Sequence, residues 1–386
     1  MKKKKILGLM LEVGDGHKSQ AMAVANAIEN QYPGQFELEV LDTFKDIGAF
    51  RLDGIYKDSW RKTLRLAPVW QKLLYQGWRN RIFVHGLERL LGIQCLNRLY
   101  RHIRAANPDL IFVTHFTVAH YVSIMKRRGW LDIPVVVLHS EPFDTFAAWQ
   151  YHTVDNYICY SETVRRKLAR TCRCNDLGVF PFPLRPIFNQ EQNNLEQKSI
   201  REKLGLDADM LTMLFTCGGE GVGSQSRYIK TLLRTGLPLQ IAVICGRNQS
   251  LMHELAALAP PPGAPTQLRP FGFVSNMNEF ILASDFVVGK AGPATTLESL
   301  VLHRPVIHIA YLPQEAGIMR LVAQNKLGWF APSPQKLLAI VESIIDDPAV
   351  LDEARRRIAA YGFSNGSVEI ANYIVELLNR TESQFA

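Results

Sequence analysis

The segments Phe271-Gly272-Phe273-Val274 and Ser284-Asp285-Phe286-Val287-Val288-Gly289-Lys290-Ala291-Gly292-Pro293-Ala294-Thr295-Thr296-Leu297-Glu298, with nine residues between them, carry most of the reading of this chain. The run 285–288 is short, apolar and β-branched, the pattern of a parallel strand buried on both faces. Gly292-Pro293 then opens a helix, since proline loses no needed N–H in the first helical turn. A helix that starts at the carboxyl end of such a strand offers free N–H groups and a positive dipole end, which suits a diphosphate. Ala294, Thr295 and Thr296 would supply N–H and hydroxyl donors there. Glu298, one turn further along the same face, is placed to accept from ribose hydroxyls. The next strand, 305–310, ends in Tyr311-Leu312-Pro313-Gln314-Glu315, which puts Gln314 and Glu315 at the carboxyl edge of the sheet, where open α/β folds bind ligands.

Working outward, the same β-α alternation recurs. Upstream stand a strand at 211–216, the loop Gly218-Gly219-Glu220-Gly221-Val222-Gly223, a helix at 225–234, a strand at 240–245 and then Arg247. The amino-terminal half reads as a strand at 6–11, the loop Gly14-Asp15-Gly16-His17, an alanine-rich helix at 19–30 and a strand at 36–41. Strands at 110–114, 135–138 and 157–160 follow, with helices at 117–127 and 161–171. Such alternation predicts an α/β protein with two Rossmann-like, doubly wound parallel sheets. Phe180-Pro181-Phe182-Pro183-Leu184-Arg185-Pro186 cannot continue a helix or a central strand and marks the link between them. The expected division is 1–182, 183–365 and a terminal helix at 366–386. Glycine loops on both halves suggest domains that face a ligand cleft.

At 386 residues the chain can fill two cores, and 47% hydrophobic with 21% charged residues is ordinary for a globular protein. The net charge of +8 asks for an anionic partner. It is concentrated at 57–104, where eleven Lys or Arg face two acids, Asp58 and Glu88. Trp60, Trp70, Tyr75, Trp78 and Phe83 are interleaved with these cations, a mixture suited to helices lying in an anionic membrane surface. The same basic face also fits a pair of ordinary amphipathic helices with solvated arginines. The six cysteines have neither zinc nor redox spacing, and no metal or other cofactor is expected. Lys2 to Lys5 and the short apolar run behind them make no signal peptide or spanning helix, so a cytoplasmic protein peripheral to the membrane is expected.

Taken together, Gly289 to Glu298, Gly218 to Gly223 and Gly14 to His17 resemble glycosyltransferase family 28, in its monogalactosyldiacylglycerol synthase and processive diacylglycerol glucosyltransferase branch, over nearly the whole chain. The resemblance implies an inverting, metal-independent enzyme of the GT-B fold that takes a UDP-sugar, UDP-glucose or UDP-galactose, and a terminal helix that packs back on the first domain. On the donor side it implies Gly219, Glu220, Gly221, Gly292, Pro293, Ala294, Thr295 and Thr296 around the diphosphate, with Arg247 as a further cation. Gly272, Phe273 and Val274 would cover the uracil, Glu298 would hold the ribose, and Gln314 and Glu315 the sugar. Inverting transfer needs a base for the acceptor hydroxyl. His17, after Gly16, holds the position of the family's motif histidine, and Asp144 is the alternative base. His115 and Trp149 would border the acceptor, while Phe146 stands where relatives carry a histidine, which bears on which acceptor is taken. The lipid acceptor, diacylglycerol or a glycosyldiacylglycerol, would be met at the membrane through Trp60, Trp70 and Trp78.

Other readings stay open. A UDP-sugar 2-epimerase shares the architecture, and a transferase to a non-lipid acceptor fits the same loops. A basic nucleic-acid-binding protein would need no nucleotide-sugar loops, and those loops are present, so no nucleic acid is expected as a partner.

Overall fold

The computed structural model describes residues 3–13, 15–65, 68–78, 80–150, 152–189, 196–217 and 225–383; side chains are described within this range except at Asp15, at 60–61, 64–65, 68–69, 72, 74, 78, 81–85 and 87–94, and at 381–383. The chain forms two compact units, Met1–Pro186 with Asn365–Ala386, and Ile187–Ser364.

The first unit runs β1 (Lys4–Met10), α1 (Asp15–Gln31), β2 (Phe36–Asp42), α2 (Thr43–Asp46), α3 (Phe50–Arg65), α4 (Pro68–Trp78), α5 (Arg81–Ala106), β3 (Leu110–Val113), α6 (Phe116–Arg127), β4 (Val135–Leu138), β5 (Asn156–Cys159), α7 (Glu162–Leu168) and β6 (Asp176–Val179). Its six strands are parallel in the order β2-β1-β3-β4-β5-β6, so the order reverses between β1 and β3. Every residue of β3, β4 and β5 is buried, as expected of strands covered on both faces. Alanines 21, 23, 25 and 27 of α1 are all buried. Their small side chains let α1 lie close to β1 and to the last helix.

The second unit runs α8 (Gln197–Lys203), β7 (Thr212–Thr216), α9 (Gln225–Thr235), β8 (Gln240–Ile244), α10 (Gln249–Ala256), β9 (Gln267–Phe271), α11 (Met277–Ala283), β10 (Phe286–Lys290), α12 (Pro293–Val301), β11 (Val306–Ala310), α13 (Ala316–Gln324), β12 (Gly328–Phe330), α14 (Pro334–Asp346) and α15 (Ala349–Tyr361). Its parallel order is β12-β11-β10-β7-β8-β9, and the reversal falls between β7 and β10. These two strands touch closely at Gly289, where a Cβ would come within 2.4 Å of the Thr216 hydroxyl. The chain then returns to the first unit as α16 (Ser367–Ser383). Asn365 fixes the return by accepting from the N–H groups of Leu184 (2.9 Å) and Ser367 (3.0 Å), and Gly366 lies against the Pro181 backbone.

Three strands escape the sequence reading, β6, β9 and β12, and each is an edge strand. Covered on one side only, they are partly exposed and lack the apolar run that marks an interior strand. The basic segment falls on three helices, α3, α4 and α5, where the reading as ordinary amphipathic helices had a pair. No helix among the described residues is long and apolar enough to cross a membrane.

Candidate functional site

In the first unit, side chains of the expected kind collect where the strands end. His17 lies in the first turn of α1, just after β1, and Thr114 and His115 follow β3 directly. His139 and Ser140 follow β4, and Tyr160 follows β5. His17 and His115 thus flank the switch point, with ring centroids 4.5 Å apart. His17 Nδ1 lies 2.6 Å from the Thr114 carbonyl oxygen and 3.0 Å from Ser140 Oγ. A carbonyl can only accept, so Nδ1 carries the hydrogen and Nε2 keeps its lone pair. Burial pushes the His17 pKa down to about 4, against a smaller opposite effect of the Thr114 bond. Burial likewise holds His139 at about 3 and His115 well below its ordinary value, with His17 adding to the effect on His115. All three rings are therefore neutral near pH 7.

Asp144 is differently placed. Its Oδ1 accepts from the Thr145 N–H at 2.8 Å and from Lys167 Nζ at 3.0 Å, so this oxygen serves its own turn and an ion pair with α7. Trp149, expected to border the acceptor, is fully buried and forms a floor for the cluster in the sense that its ring lies 6.5 Å from His17 and 4.7 Å from His139. Its indole N–H has no hydrogen-bond partner among the described residues. An aromatic path leads away from this floor. Phe116 stacks on His115 at 4.3 Å, Phe146 meets Phe116 at 5.5 Å, and Tyr75 of α4 meets Phe146 at 5.7 Å. On the same α4, Trp70 and Leu73 stand 60% and 51% exposed. The side chains of Trp60 and Trp78 lie outside the described residues.

In the second unit, β10 ends at Lys290 and a tight turn, Gly292 N–H to Lys290 O at 2.7 Å, delivers the chain to α12. No side chain caps α12, Pro293 is its first residue, and the N–H groups of Ala294 and Thr295 have no partner among the described residues. A Cβ on Gly292 would meet open space. Thr296 departs from the expectation. Its N–H goes to Gly292 O (3.1 Å) and its buried hydroxyl to His308 Nε2 (3.0 Å), so both face the protein because this residue sits on the core side of the helix. Glu298 is 6% exposed, one turn further in.

Beyond β11, Glu315 is also turned inward. One of its oxygens accepts from the Leu312 N–H at 2.7 Å and the other pairs with Lys290, so the carboxylate caps its own turn instead of standing open for a sugar, while Gln314 beside it stays partly exposed. Phe273, beyond β9, is 66% exposed, with the Arg247 guanidinium 5.3 Å from its ring centre. Gly272 faces open space and Val274 is half-buried. Gly219, Glu220 and Gly221 lie outside the described residues. Sequence reasoning passed over Lys290, Gln20, Thr114, Ser140 and Tyr160. The signal available for the last three was a polar residue directly behind an apolar strand run.

The first unit carries a match to a family model described as monogalactosyldiacylglycerol (MGDG) synthase, over residues 17–177, and the second to the glycosyltransferase family 28 C-terminal domain, over 213–325. The chain is 29% identical over 345 residues to a probable monogalactosyldiacylglycerol synthase 2 of rice (Oryza sativa subsp. japonica), covering 86% of this chain and 72% of that one. It is 26% identical to monogalactosyldiacylglycerol synthase 1 of Arabidopsis thaliana, over 88% and 64% respectively. Among solved structures, Acinetobacter baumannii MurG superposes with a TM-score of 0.60 at 14% identity, over 97% of this chain and 99% of that one. Anabaena HepE in complex with UDP-glucose superposes with a TM-score of 0.56 at 15% identity, over 97% and 99%. These likenesses establish a two-domain GT-B fold.

Proposed function

We propose that the chain is a member of glycosyltransferase family 28, whose models match both of its units, and that it transfers a hexose from UDP-glucose or UDP-galactose to a diacylglycerol-type membrane lipid, with inversion at the anomeric carbon. The observation that carries this reading is the fixed tautomer of His17, with Nδ1–H on the Thr114 carbonyl and a bare Nε2. Nε2 takes the proton of the lipid hydroxyl as its oxygen bonds to the anomeric carbon and the bond from that carbon to the diphosphate breaks. The departing UDP carries the electron pair, and the free N–H groups and dipole of α12 receive its charge. A histidine held at about pKa 4 is a weak base in the free protein, and the negative donor favours its protonated form.

The lipid half of the proposal rests on exposed Trp70 and Leu73 of α4 and on the aromatic contacts from Tyr75 of the same helix through Phe146 and Phe116 to His115, which suit an acyl glycerol better than a polar acceptor. The enzyme would meet this acceptor as a peripheral protein on the cytosolic face. Its basic helices gain about 1 kcal/mol per cation near an anionic surface.

The test is to sediment the protein with anionic and with neutral liposomes containing diacylglycerol, with labelled UDP-glucose or UDP-galactose present, and to chromatograph the extracted lipid. Labelled glycolipid on the vesicles is the expected result. Epimerised UDP-sugar formed in acceptor-free buffer would replace the transferase reading with an isomerase. Full activity on a water-soluble acceptor without vesicle binding would remove the lipid.

A further inference from the structure

One imidazole in the first unit is held from two strand ends, and a chain of side chains ties it to a third. Behind β3, Thr114 O is 2.6 Å from His17 Nδ1; behind β4, Ser140 Oγ is 3.0 Å from the same nitrogen. Ser140 Oγ also lies 2.6 Å from Thr114 O and 2.8 Å from Gln20 Oε1. Gln20, one turn beyond His17 on α1, then donates from Nε2 to Tyr160 Oη, behind β5, at 2.6 Å. Gln20 is fully buried and Tyr160 is buried beside it.

Counting hydrogens orders the chain. Thr114 O and Gln20 Oε1 can only accept, and Ser140 has one hydrogen to give. That hydrogen points to one of these two oxygens and away from His17, so a Ser140 lone pair faces the Nδ1–H. Gln20 is turned with its oxygen toward Ser140 because its amide nitrogen is held by the Tyr160 oxygen. A buried amide is costly unless both ends are satisfied, and here both are.

We propose that Gln20 and Ser140 are positioning residues for His17: by giving Ser140's hydrogen a destination on the far side, Gln20 makes Ser140 a second acceptor for Nδ1–H, which reinforces the tautomer set by the Thr114 carbonyl and leaves Nε2 as the acceptor. The proposal rests on the reading of His17 as the base. Ser140→Ala removes that second acceptor. Gln20→Met keeps the shape of the side chain but leaves the Thr114 carbonyl, which the Nδ1–H also uses, as the remaining acceptor for the serine hydrogen.

The experiment pairs kinetics with ¹⁵N NMR of the histidine rings recorded without substrate. Wild type should give an Nδ1–H signal for His17, and Ser140→Ala and Gln20→Met should lower the share of that tautomer, which the Thr114 carbonyl alone then supports. Their kcat should fall by about ten- to a hundredfold, a part of what a general base contributes, with the KM for UDP-sugar unchanged. Ser140→Thr, which keeps the hydroxyl, should restore both the signal and kcat, and Tyr160→Phe, one bond further out, should have a smaller effect. An Nε2–H signal in wild type overturns the proposal. So does a loss of kcat that tracks lost folding stability while the tautomer stays put. A tautomer share that falls as described, in a protein whose His17→Ala variant keeps its turnover, supports the lock and overturns the base.

Discussion

Thr296→Val separates a structural threonine from a ligand-binding one. The hydroxyl lies 3.0 Å from His308 Nε2, both residues are buried, and Nδ1 of His308 has no partner among the described residues. Valine keeps the shape and removes the hydrogen bond, which leaves a buried imidazole nitrogen unsatisfied at a cost of about 1–3 kcal/mol. In a unit of the size of Ile187–Ser364, about 2–4 °C of Tm is lost per kcal/mol, so the melting of this unit should fall by about 2–12 °C. Affinity for UDP, measured by calorimetry, should stay within about twofold, because the diphosphate would be met by the Ala294 and Thr295 N–H groups and not by this hydroxyl. An unchanged Tm together with a tenfold or greater loss of UDP affinity would refute the reasoning and return Thr296 to the donor site.

Other outcomes follow from the same geometry. Burial holds His17, His139 and His308 at about 4, 3 and 4 against 6.5 in the unfolded chain, so the unfolded state binds more protons between those values; stability should be full above about pH 6.5 and decline as pH falls toward 4, each histidine adding up to about 1.4 kcal/mol per pH unit. Urea midpoints that do not move between pH 7.5 and 5 would contradict this. Glu298→Ala should weaken UDP binding by about 1–3 kcal/mol, as for a lost charge-assisted hydrogen bond, and unchanged affinity in calorimetry would remove Glu298 from the site. Gly289→Ala should destabilise by about 1–3 kcal/mol because its Cβ would press on Thr216, while Gly292→Ala, into open space, should leave stability nearly unchanged; equal unfolding midpoints for the two would count against the packing of β7 on β10.

What the sequence makes legible here is what burial on both faces writes into it. Runs such as Val135–Leu138 and Leu110–Val113 read as interior strands, and residues directly behind them, Ser140 and Thr114, meet His17. Edge strands such as Gly328–Phe330 are covered on one side and carry no such run. Side-chain direction at a helix start is also illegible, since Thr295 and Thr296 are chemically alike and only the packing of α12 on β11 sends the second one to His308. Glu315 shows the same limit: its position at a strand's carboxyl edge is readable, but its capture by Leu312 N–H and Lys290 depends on a fold of the chain. The relay of Gln20, Ser140 and Tyr160 joins residues up to 140 positions apart, and no spacing announces it.

The most direct measurement is turnover of labelled UDP-sugar on diacylglycerol-containing liposomes by His17→Ala and by Asp144→Asn, with UDP affinity measured on the same preparations. If His17 is the base, its alanine variant loses about 10²- to 10⁴-fold in kcat while UDP affinity holds, and Asp144→Asn retains much of its activity. Turnover that survives in His17→Ala and vanishes in Asp144→Asn would contradict the account and pass the role to the carboxylate.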